Sequence, residues 1–204
     1  MITIYARQGL SQGDLAEVTG ILKRGGIGIV PTDTVYGIAG LASNGKAVSR
    51  IFEVKGRDPS KPLPVQVEST EAAGRLAWIT RHSRALAEKF WPGPLTIIMP
   101  SRPGTDLPMQ DGTSIGIRVP ASDNCIRIIR TVGPLVLPSA NSEGSPAPAA
   151  PEEVERALLG LVDFFIDAGS CPGGVESTVV DAREGIEVLR EGAIAAEAIK
   201  AVAE

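Results

Sequence analysis

The sequence predicts an α/β fold, a single domain over residues 1–204 in which helices flank a mixed β-sheet. Strand patterns and helix patterns interleave along the chain, and their irregular order favours a mixed sheet over a regular doubly wound one. Hydrophobic residues make up 43% of the chain, enough for a substantial core, while only 4% are aromatic, so that core depends on aliphatic side chains. The 23 glycines and 16 prolines indicate many tight turns rather than a helical bundle.

The helix patterns begin with a well-marked example. Ser11 and Asp14 resemble a capping box, an apolar stripe runs through residues 15–22, and two glycines at 25–26 end the helix. We predict helices over residues 11–24, 46–54, 71–77, 83–90, 124–131, 152–159 and 197–202.

The strand patterns are short apolar runs between turn residues. We predict strands over residues 27–30, 64–67, 95–99, 115–119, 135–137, 164–166, 178–180 and 187–189. The last two are expected to form a hairpin across residues 182–185.

Residues 134–151 are rich in proline, alanine and serine, and two interpretations compete for them. One is a flexible linker between domains. Because few residues follow this segment, and they continue the strand and helix pattern, we favour a rigid surface loop, which in compact domains is often functional.

Composition excludes several classes of protein. The net charge of −4 excludes a polyanion-binding cationic protein, so any phosphate site must concentrate a few basic residues locally. No stretch approaches the roughly 20 apolar residues of a membrane helix, and the N-terminus lacks a signal-peptide pattern. Two cysteines do not make a disulfide framework, so we expect a reduced, cytoplasmic protein.

The side chains usually found in catalysis are scarce. His82 is the single histidine, which excludes a histidine metal cluster, and its polar helix-start context is typical of a surface or capping residue. Cys125 and Cys171 have no evident activating histidine and are predicted to be buried rather than catalytic. The common glycine-rich nucleotide loops are also absent from the sequence.

Residues 31–37, PTDTVYG, follow a predicted buried strand directly, and loops at such strand ends commonly carry ligands. Thr32, Asp33 and Thr34 offer hydroxyls and a carboxylate for an amino acid's polar groups. An ordinary turn explains the segment equally well.

Residues 55–63, KGRDPSKPL, place Lys55, Arg57 and Lys61 on a loop that two prolines stiffen. Arginine can grip two phosphate oxygens while lysine acts as a point charge, so the set suits a polyphosphate. Taken alone, a solvated basic turn is the favoured interpretation.

Four further candidates lie in the second half of the chain. Ser139, Asn141 and Ser145 belong to a polar loop that suits phosphate or ribose oxygens, although turns use the same residues. Ser177 precedes a predicted strand. Arg118 lies within an apolar strand and Arg190 at a strand end, where a charge needs a carboxylate or an anionic ligand.

Taken together, the chain resembles the YrdC-like family, the threonylcarbamoyl-AMP synthases. Seven segments occur in the family's order and span nearly the whole chain. They are PTDTVYGIAG (31–40), KGRDPSKPLPV (55–65), WPGPLT (91–96), IRVP (117–120), PSANSEGSP (138–146), ESTVVD (176–181) and VLREG (188–192). Some members carry a further C-terminal domain, and because this chain ends at Glu204 we expect it to resemble the family's short form.

The resemblance implies a twisted sheet that lines a concave, basic cleft. It implies a reaction of L-threonine, bicarbonate and ATP that gives threonylcarbamoyl-adenylate and diphosphate for the modification of adenosine 37 in tRNA. No tightly bound cofactor or protein-held metal is expected, Mg²⁺ is expected to arrive with ATP, and downstream transfer proteins are expected as partners.

The resemblance also implies the roles of individual residues. Lys55 and Arg57 are the expected catalytic residues. The expected ATP-binding residues are Lys55, Arg57, Ser114, Ser139, Asn141, Ser145 and Arg190. The expected threonine-binding residues are Thr32, Lys61, Arg118 and Ser177, with Arg118 on the carboxylate.

Two alternatives remain open from the sequence. A nucleic-acid-binding module, with direct contact to double-stranded RNA or tRNA, would use the same basic cleft, although the acidic net charge and few aromatic residues weaken it. A carbamoyl-transfer role of the kind seen in larger hydrogenase-maturation proteins is disfavoured because the chain lacks their accessory regions.

Overall fold

Strands and helices interleave in the computed structural model of the chain, which describes residues 1–105, 107 and 113–202. The helices are α1 (Gln12–Lys23), α2 (Gly45–Lys55), α3 (Thr70–Leu76), α4 (Arg81–Phe90), α5 (Asp123–Val132), α6 (Arg156–Leu159) and α7 (Ala196–Lys200). The strands are β1 (Ile2–Tyr5), β2 (Ile27–Pro31), β3 (Tyr36–Leu41), β4 (Val65–Gln66), β5 (Leu95–Pro100), β6 (Ser114–Arg118), β7 (Leu135–Val136), β8 (Phe164–Asp167), β9 (Thr178–Asp181) and β10 (Glu187–Arg190).

Ten strands of the described residues form one sheet in the order β1-β8-β2-β3-β7-β4-β6-β5-β9-β10. The pairs β1–β8, β8–β2, β4–β6 and β5–β9 are parallel, and the other neighbours are antiparallel. The predicted α/β class with a mixed, twisted sheet is therefore confirmed. The predicted hairpin is also present as the antiparallel pair of β9 and β10.

Most predicted elements lie within a few residues of the observed ones, and three differences have physical causes. Strands β1 and β3 had no prediction: β1 is a short edge strand, and β3 contains two glycines that dilute its apolar pattern. The predicted helix over 152–159 is instead a 3₁₀ turn (Pro151–Glu153) followed by α6. Glu153 Oε2 accepts hydrogen bonds from the amides of Ala149 and Ala150, which fixes the turn, and Val154 and Glu155, with ψ of 121° and 126°, separate it from the helix.

Two apolar clusters cover the sheet unequally. The larger packs α2, α3 and α4 along one face, with strand residues such as Ile29, Ile97 and Ile117. The smaller packs α1 and α5 on the opposite face, but only against β1, β8, β2, β3 and β7. The described helices therefore leave the second face of β4, β6, β5 and β9 uncovered, and the candidate site lies there.

Candidate functional site

A cleft of about 500 Å³ opens on this uncovered half of the sheet. Its floor follows from strand alternation, because successive side chains of a strand point to opposite faces. In β6, Ile115 and Ile117 enter the core, whereas Ser114, Gly116 and Arg118 face the cleft. The remaining floor side chains are Gln66, Thr96, Ile98 and Val179.

Loops from distant parts of the chain form the walls and gather nearly all the residues that the sequence singled out. The cleft is lined by Thr32, Lys55, Arg57, Ser114, Arg118, Ser139, Asn141, Ser145, Ser177 and Arg190. Lys61 is not among the lining residues, and its ammonium instead pairs with Glu143 Oε1 at 2.5 Å. Glu143 itself lines the cleft, so Lys61 is connected to the cleft through this carboxylate.

Arg118 is only 4% exposed and is held by three contacts. Its Nε donates to the carbonyl of Gly93 at 3.0 Å, its Nη1 to Thr34 Oγ1 at 3.0 Å, and its Nη2 to Asp33 Oδ1 at 2.6 Å. The buried charge thus has a carboxylate partner, as its position in an apolar strand required. One further N–H on each terminal nitrogen is available for an anionic ligand.

The loop between β2 and β3 is organised by Thr32. Its hydroxyl donates to the carbonyl of Val35 at 2.7 Å and accepts from the amides of Thr34 and Val35 at 3.0 and 3.2 Å. Asp33, which the sequence offered as a ligand for a substrate's polar groups, is the partner of Arg118. The loop therefore combines the two alternatives: a tight turn that also presents side chains to the cleft.

Lys55 is the last residue of α2 and is buried, with 4% exposure. Its ammonium donates to the carbonyls of Ser139 and Asn141 at 2.5 and 2.6 Å and to Asn141 Oδ1 at 3.3 Å. Burial, and secondly the charge of Arg57, lowers the pKa of Lys55 to about 8. The lysine therefore fixes the backbone of the polar loop around Ser139, a role that the sequence did not indicate.

Arg57 enters the cleft because Gly56 ends α2 in the left-handed conformation, with φ of 60°, where glycine is favoured. Its Nη2 donates to the carbonyl of Pro62 at 3.3 Å. Its Nε is buried and has no hydrogen-bond partner among the residues the structure describes. A buried donor without a partner is unfavourable, so Arg57 retains capacity to bind an anion.

The opposite wall is built from β10 and the residues before β9. Arg190 Nη2 donates to the carbonyl of Ser177 at 2.8 Å, and its Nη1 lies 3.3 Å from Glu176 Oε1. The hydroxyls of Ser177 and Thr96 lie 2.9 Å apart. Both residues are largely buried yet line the cleft, so this hydrogen bond joins the floor strand β5 to the wall at Ser177.

The sequence predictions omitted several lining residues, among them Gln66, Thr96, Glu143 and Glu176. Alternation along the predicted strands would have identified Gln66 and Thr96, since each lies between two residues of the apolar core. Nothing local identified the two glutamates, because their position depends on how distant loops meet.

Among the described lining residues, four are cations and two are carboxylates, an excess that favours an anionic ligand. Across all the residues that the structure describes, no three or more His, Cys, Asp or Glu residues form a cluster that could hold a metal ion.

None of the helices in the described residues is long and apolar enough to cross a membrane.

Fold and site together define an α/β domain with a cation-lined cleft on the half of its mixed sheet that helices leave uncovered. The family model Sua5_yciO_yrdC, described as telomere recombination, matches residues 20–192. The chain belongs to this Sua5/YciO/YrdC family, and the family resemblance of its sequence is thereby confirmed.

Relatives from several organisms match nearly the whole chain. A threonylcarbamoyl-AMP synthase of Pyrococcus abyssi is 35% identical over 98% of this chain and 60% of the relative. One of Bacillus subtilis is 35% identical over 92% of this chain and 56% of the relative. The chain thus spans about three-fifths of these proteins, whereas it covers 93% of a 36% identical relative from Methanocaldococcus jannaschii.

Solved structures agree with the family assignment. The crystal structure of P. abyssi Sua5 complexed with L-threonine has a TM-score of 0.92 and 33% identity, over 99% of this chain and 61% of that one. Escherichia coli YciO, with a TM-score of 0.82 and 22% identity, shares the fold.

Proposed function

We propose that this protein is a threonylcarbamoyl-AMP synthase that converts L-threonine, bicarbonate and ATP into L-threonylcarbamoyl-adenylate and diphosphate. The observation that carries the proposal is the cleft itself. It gathers Lys55, Arg57, Arg118 and Arg190 with several hydroxyl groups on one sheet face, in a chain whose relatives bear this enzyme's name. Binding of threonine is named for the P. abyssi protein, which supports the choice of amino acid.

The proposed chemistry needs no nucleophile from the protein. The threonine amine adds to the carbon of bicarbonate with loss of water, which gives a carbamate. A carbamate oxygen then attacks the α-phosphorus of ATP, the bond to the bridging oxygen breaks, and diphosphate leaves. The protein's contribution is to hold two anionic reactants together and to stabilise charge as diphosphate departs.

ATP is assigned to the side of the cleft formed by α2, the polar loop at 139–145, and β10. Arg57 and Arg190 would contact its phosphates, and Lys55 supports the same charge while it holds the loop in shape. We assign the other parts of ATP to hydroxyl and amide groups of Ser114, Ser139, Asn141 and Ser145. Mg²⁺ would come with the phosphates, since the described carboxylates form no metal cluster of their own.

Threonine is assigned to the floor beside Arg118. The two uncommitted N–H groups of Arg118 suit a carboxylate, which guanidinium groups grip in pairs. Ser177 lines the same cleft, and so does Thr32, whose hydroxyl lies 2.9 Å from the Thr34 hydroxyl that Arg118 contacts. Lys61 is proposed to act at the rim once its ion pair with Glu143 opens.

Further parts of the proposal concern the wider setting. We propose that residues 1–204 act as one domain, and that downstream transfer proteins receive the adenylate for adenosine 37 of tRNA. A cytoplasmic location fits the two unpaired, buried cysteines. Direct contact with RNA is the alternative use of the same cleft.

The proposal is tested by diphosphate release from ATP. We expect release only when threonine and bicarbonate are both present, and adenylate formation is checked by mass spectrometry. Arg57→Ala should lower the rate at least tenfold because it removes a phosphate contact, whereas the matched variant of an exposed helix residue, Arg84→Ala, should not.

Equal release with serine, or with no amino acid, would contradict the threonine assignment. A wild-type rate in Arg57→Ala would contradict the phosphate role. If the protein releases no diphosphate and instead binds RNA without ATP, with affinity that falls steeply with salt, the nucleic-acid alternative is correct.

A further inference from the structure

Thr96 and Ser177 form a buried hydroxyl pair where the floor of the cleft meets its wall, and the proposed reaction leaves Thr96 without a role. The two oxygens lie 2.9 Å apart, and the side chains are 4% and 8% exposed. Thr96 lies on β5, and Ser177 immediately precedes β9, the parallel neighbour of β5. The pair thus joins two adjacent strands at the cleft.

The backbone around Ser177 is already fixed from the other side. Arg190 Nη2 holds the carbonyl of Ser177, and the amide of Ala193 donates to the carbonyl of Glu176. The next residue, Thr178, uses its hydroxyl to bond the backbone of Gly192 and Ile194. The remaining freedom of Ser177 is therefore the rotation of its side chain and hydroxyl, which Thr96 contacts.

Either hydroxyl of the pair can be the donor, and the choice decides which hydrogen remains for a ligand. Each hydroxyl has one hydrogen, and their mutual bond uses one of the two. If Thr96 donates to Ser177, the Ser177 hydrogen is left to bond a ligand acceptor. Such a chain of hydroxyls also polarises the outer donor and strengthens it in a buried setting.

We propose that Thr96 is a positioning residue that donates its hydroxyl to Ser177 and so aims the Ser177 hydroxyl at the amino-acid substrate. The inference rests on the proposed function, which assigns Ser177 to threonine. Thr96 acts through the Ser177 hydroxyl, whereas Arg190, which is assigned to ATP, contacts Ser177 only at its backbone carbonyl.

Three variants test the inference by steady-state kinetics and by calorimetric titration of threonine without ATP. Thr96→Val keeps the shape and removes the hydroxyl, so KM and Kd for threonine should rise about tenfold while KM for ATP stays within twofold. Thr96→Ser restores the hydroxyl and should return both constants to within threefold of wild type. The double variant Thr96→Val/Ser177→Ala should bind threonine no worse than Ser177→Ala alone.

The matched control is Thr19→Val. Thr19 is equally buried, at 4% exposure, and its hydroxyl donates to the carbonyl of Ala16 within α1. This variant should leave both KM values unchanged. Urea unfolding of every variant separates a general loss of stability from the expected change in threonine affinity.

The inference is overturned if Thr96→Val leaves threonine affinity unchanged, if KM for ATP rises equally, or if the two substitutions have independent, multiplied effects. Should Thr96→Val not fold, Thr96→Ser and Thr96→Ala are titrated, and equal threonine affinity in the two overturns it. Wild-type protein that neither binds threonine nor releases diphosphate overturns the proposed function and this inference together. Normal wild-type activity with an unaffected Thr96→Val overturns only the inference.

Discussion

Lys55 places a positive charge in a part of the cleft wall that is almost inaccessible to solvent. All three ammonium hydrogens have acceptors in the loop at Ser139 and Asn141. Desolvation disfavours the ammonium, which is why the pKa falls from 10.5 to about 8 rather than rising with so many acceptors. One side chain thus shapes the polar loop and supplies charge that is sensitive to mildly alkaline pH.

We expect the affinity for a non-hydrolysable ATP analogue to fall by no more than about twofold between pH 7 and 8 and steeply above about pH 8. Bound phosphates favour the ammonium form of Lys55 and raise its pKa in the complex. Above pH 8 the lysine must therefore take up a proton when the analogue binds, and Kd rises by up to about tenfold per pH unit. Fluorescence or calorimetric titration between pH 7 and 9.5 measures the effect.

The matched variant is Lys55→Arg, whose charge persists over this range and whose Kd should not change with pH. Burial raises the pKa of Cys125 to about 12 and of Cys171 to about 11, so neither thiol explains a change near pH 8. A wild-type Kd that is flat to pH 9.5 would contradict the role of the ammonium.

Two glycines show that side chains pack more tightly on the helix-covered half of the sheet than on the floor of the cleft. At Gly28 on β2, an added Cβ would lie 2.4 Å from the buried ring of Phe164. At Gly116 on β6, the nearest atoms would be 3.5 and 3.7 Å away, on Thr96 and Ile98, which is ordinary contact. The first glycine is needed for packing between helix-covered strands, and the second merely leaves room above the cleft floor.

We therefore expect Gly28→Ala to lower the free energy of unfolding by about 1–3 kcal/mol, because the added Cβ would overlap the fully buried Phe164 ring. Gly116→Ala should stay within about 0.5 kcal/mol of wild type. Urea denaturation followed by circular dichroism measures both. Equal midpoints for the two variants would show that the packing against Phe164 does not limit stability.

At the level of elements, local pattern predicted the strands whose one face is apolar and the helices with marked ends. It failed for β3, because two glycines dilute the apolar pattern on which the prediction depends. Local pattern identified the cleft residues one segment at a time and did not predict that they meet, since residues such as Lys55 and Ser139 are far apart in sequence. The pairing of Lys61 with Glu143 also depends on how two loops meet, and no local signal specifies that.

The whole molecule is interleaved rather than divided into consecutive parts. Strand β8 lies between β1 and β2, and β9 pairs with β5, so the last third of the described chain completes both halves of the sheet. The larger apolar cluster contains residues from α2 as well as from α7. Within residues 1–105, 107 and 113–202, each of the two apolar clusters contains residues from both the first and the last third of the chain.

Unfolding should therefore be a single cooperative transition. Tryptophan fluorescence, which reports on Trp78 and Trp91, and far-ultraviolet circular dichroism, which reports on the whole backbone, should give coincident urea curves. Two separated midpoints would contradict this and would indicate that one part of the sheet unfolds before the other.

The position of β8 also bears on synthesis by the ribosome. Strands β1 and β2 emerge first, yet the strand that lies between them, Phe164–Asp167, emerges only after residues 32–163. Until then the nascent chain carries two unpaired strand edges, which are prone to pair wrongly with other chains. Nascent chains stalled before residue 164 should consequently associate with chaperones more strongly than chains released at full length.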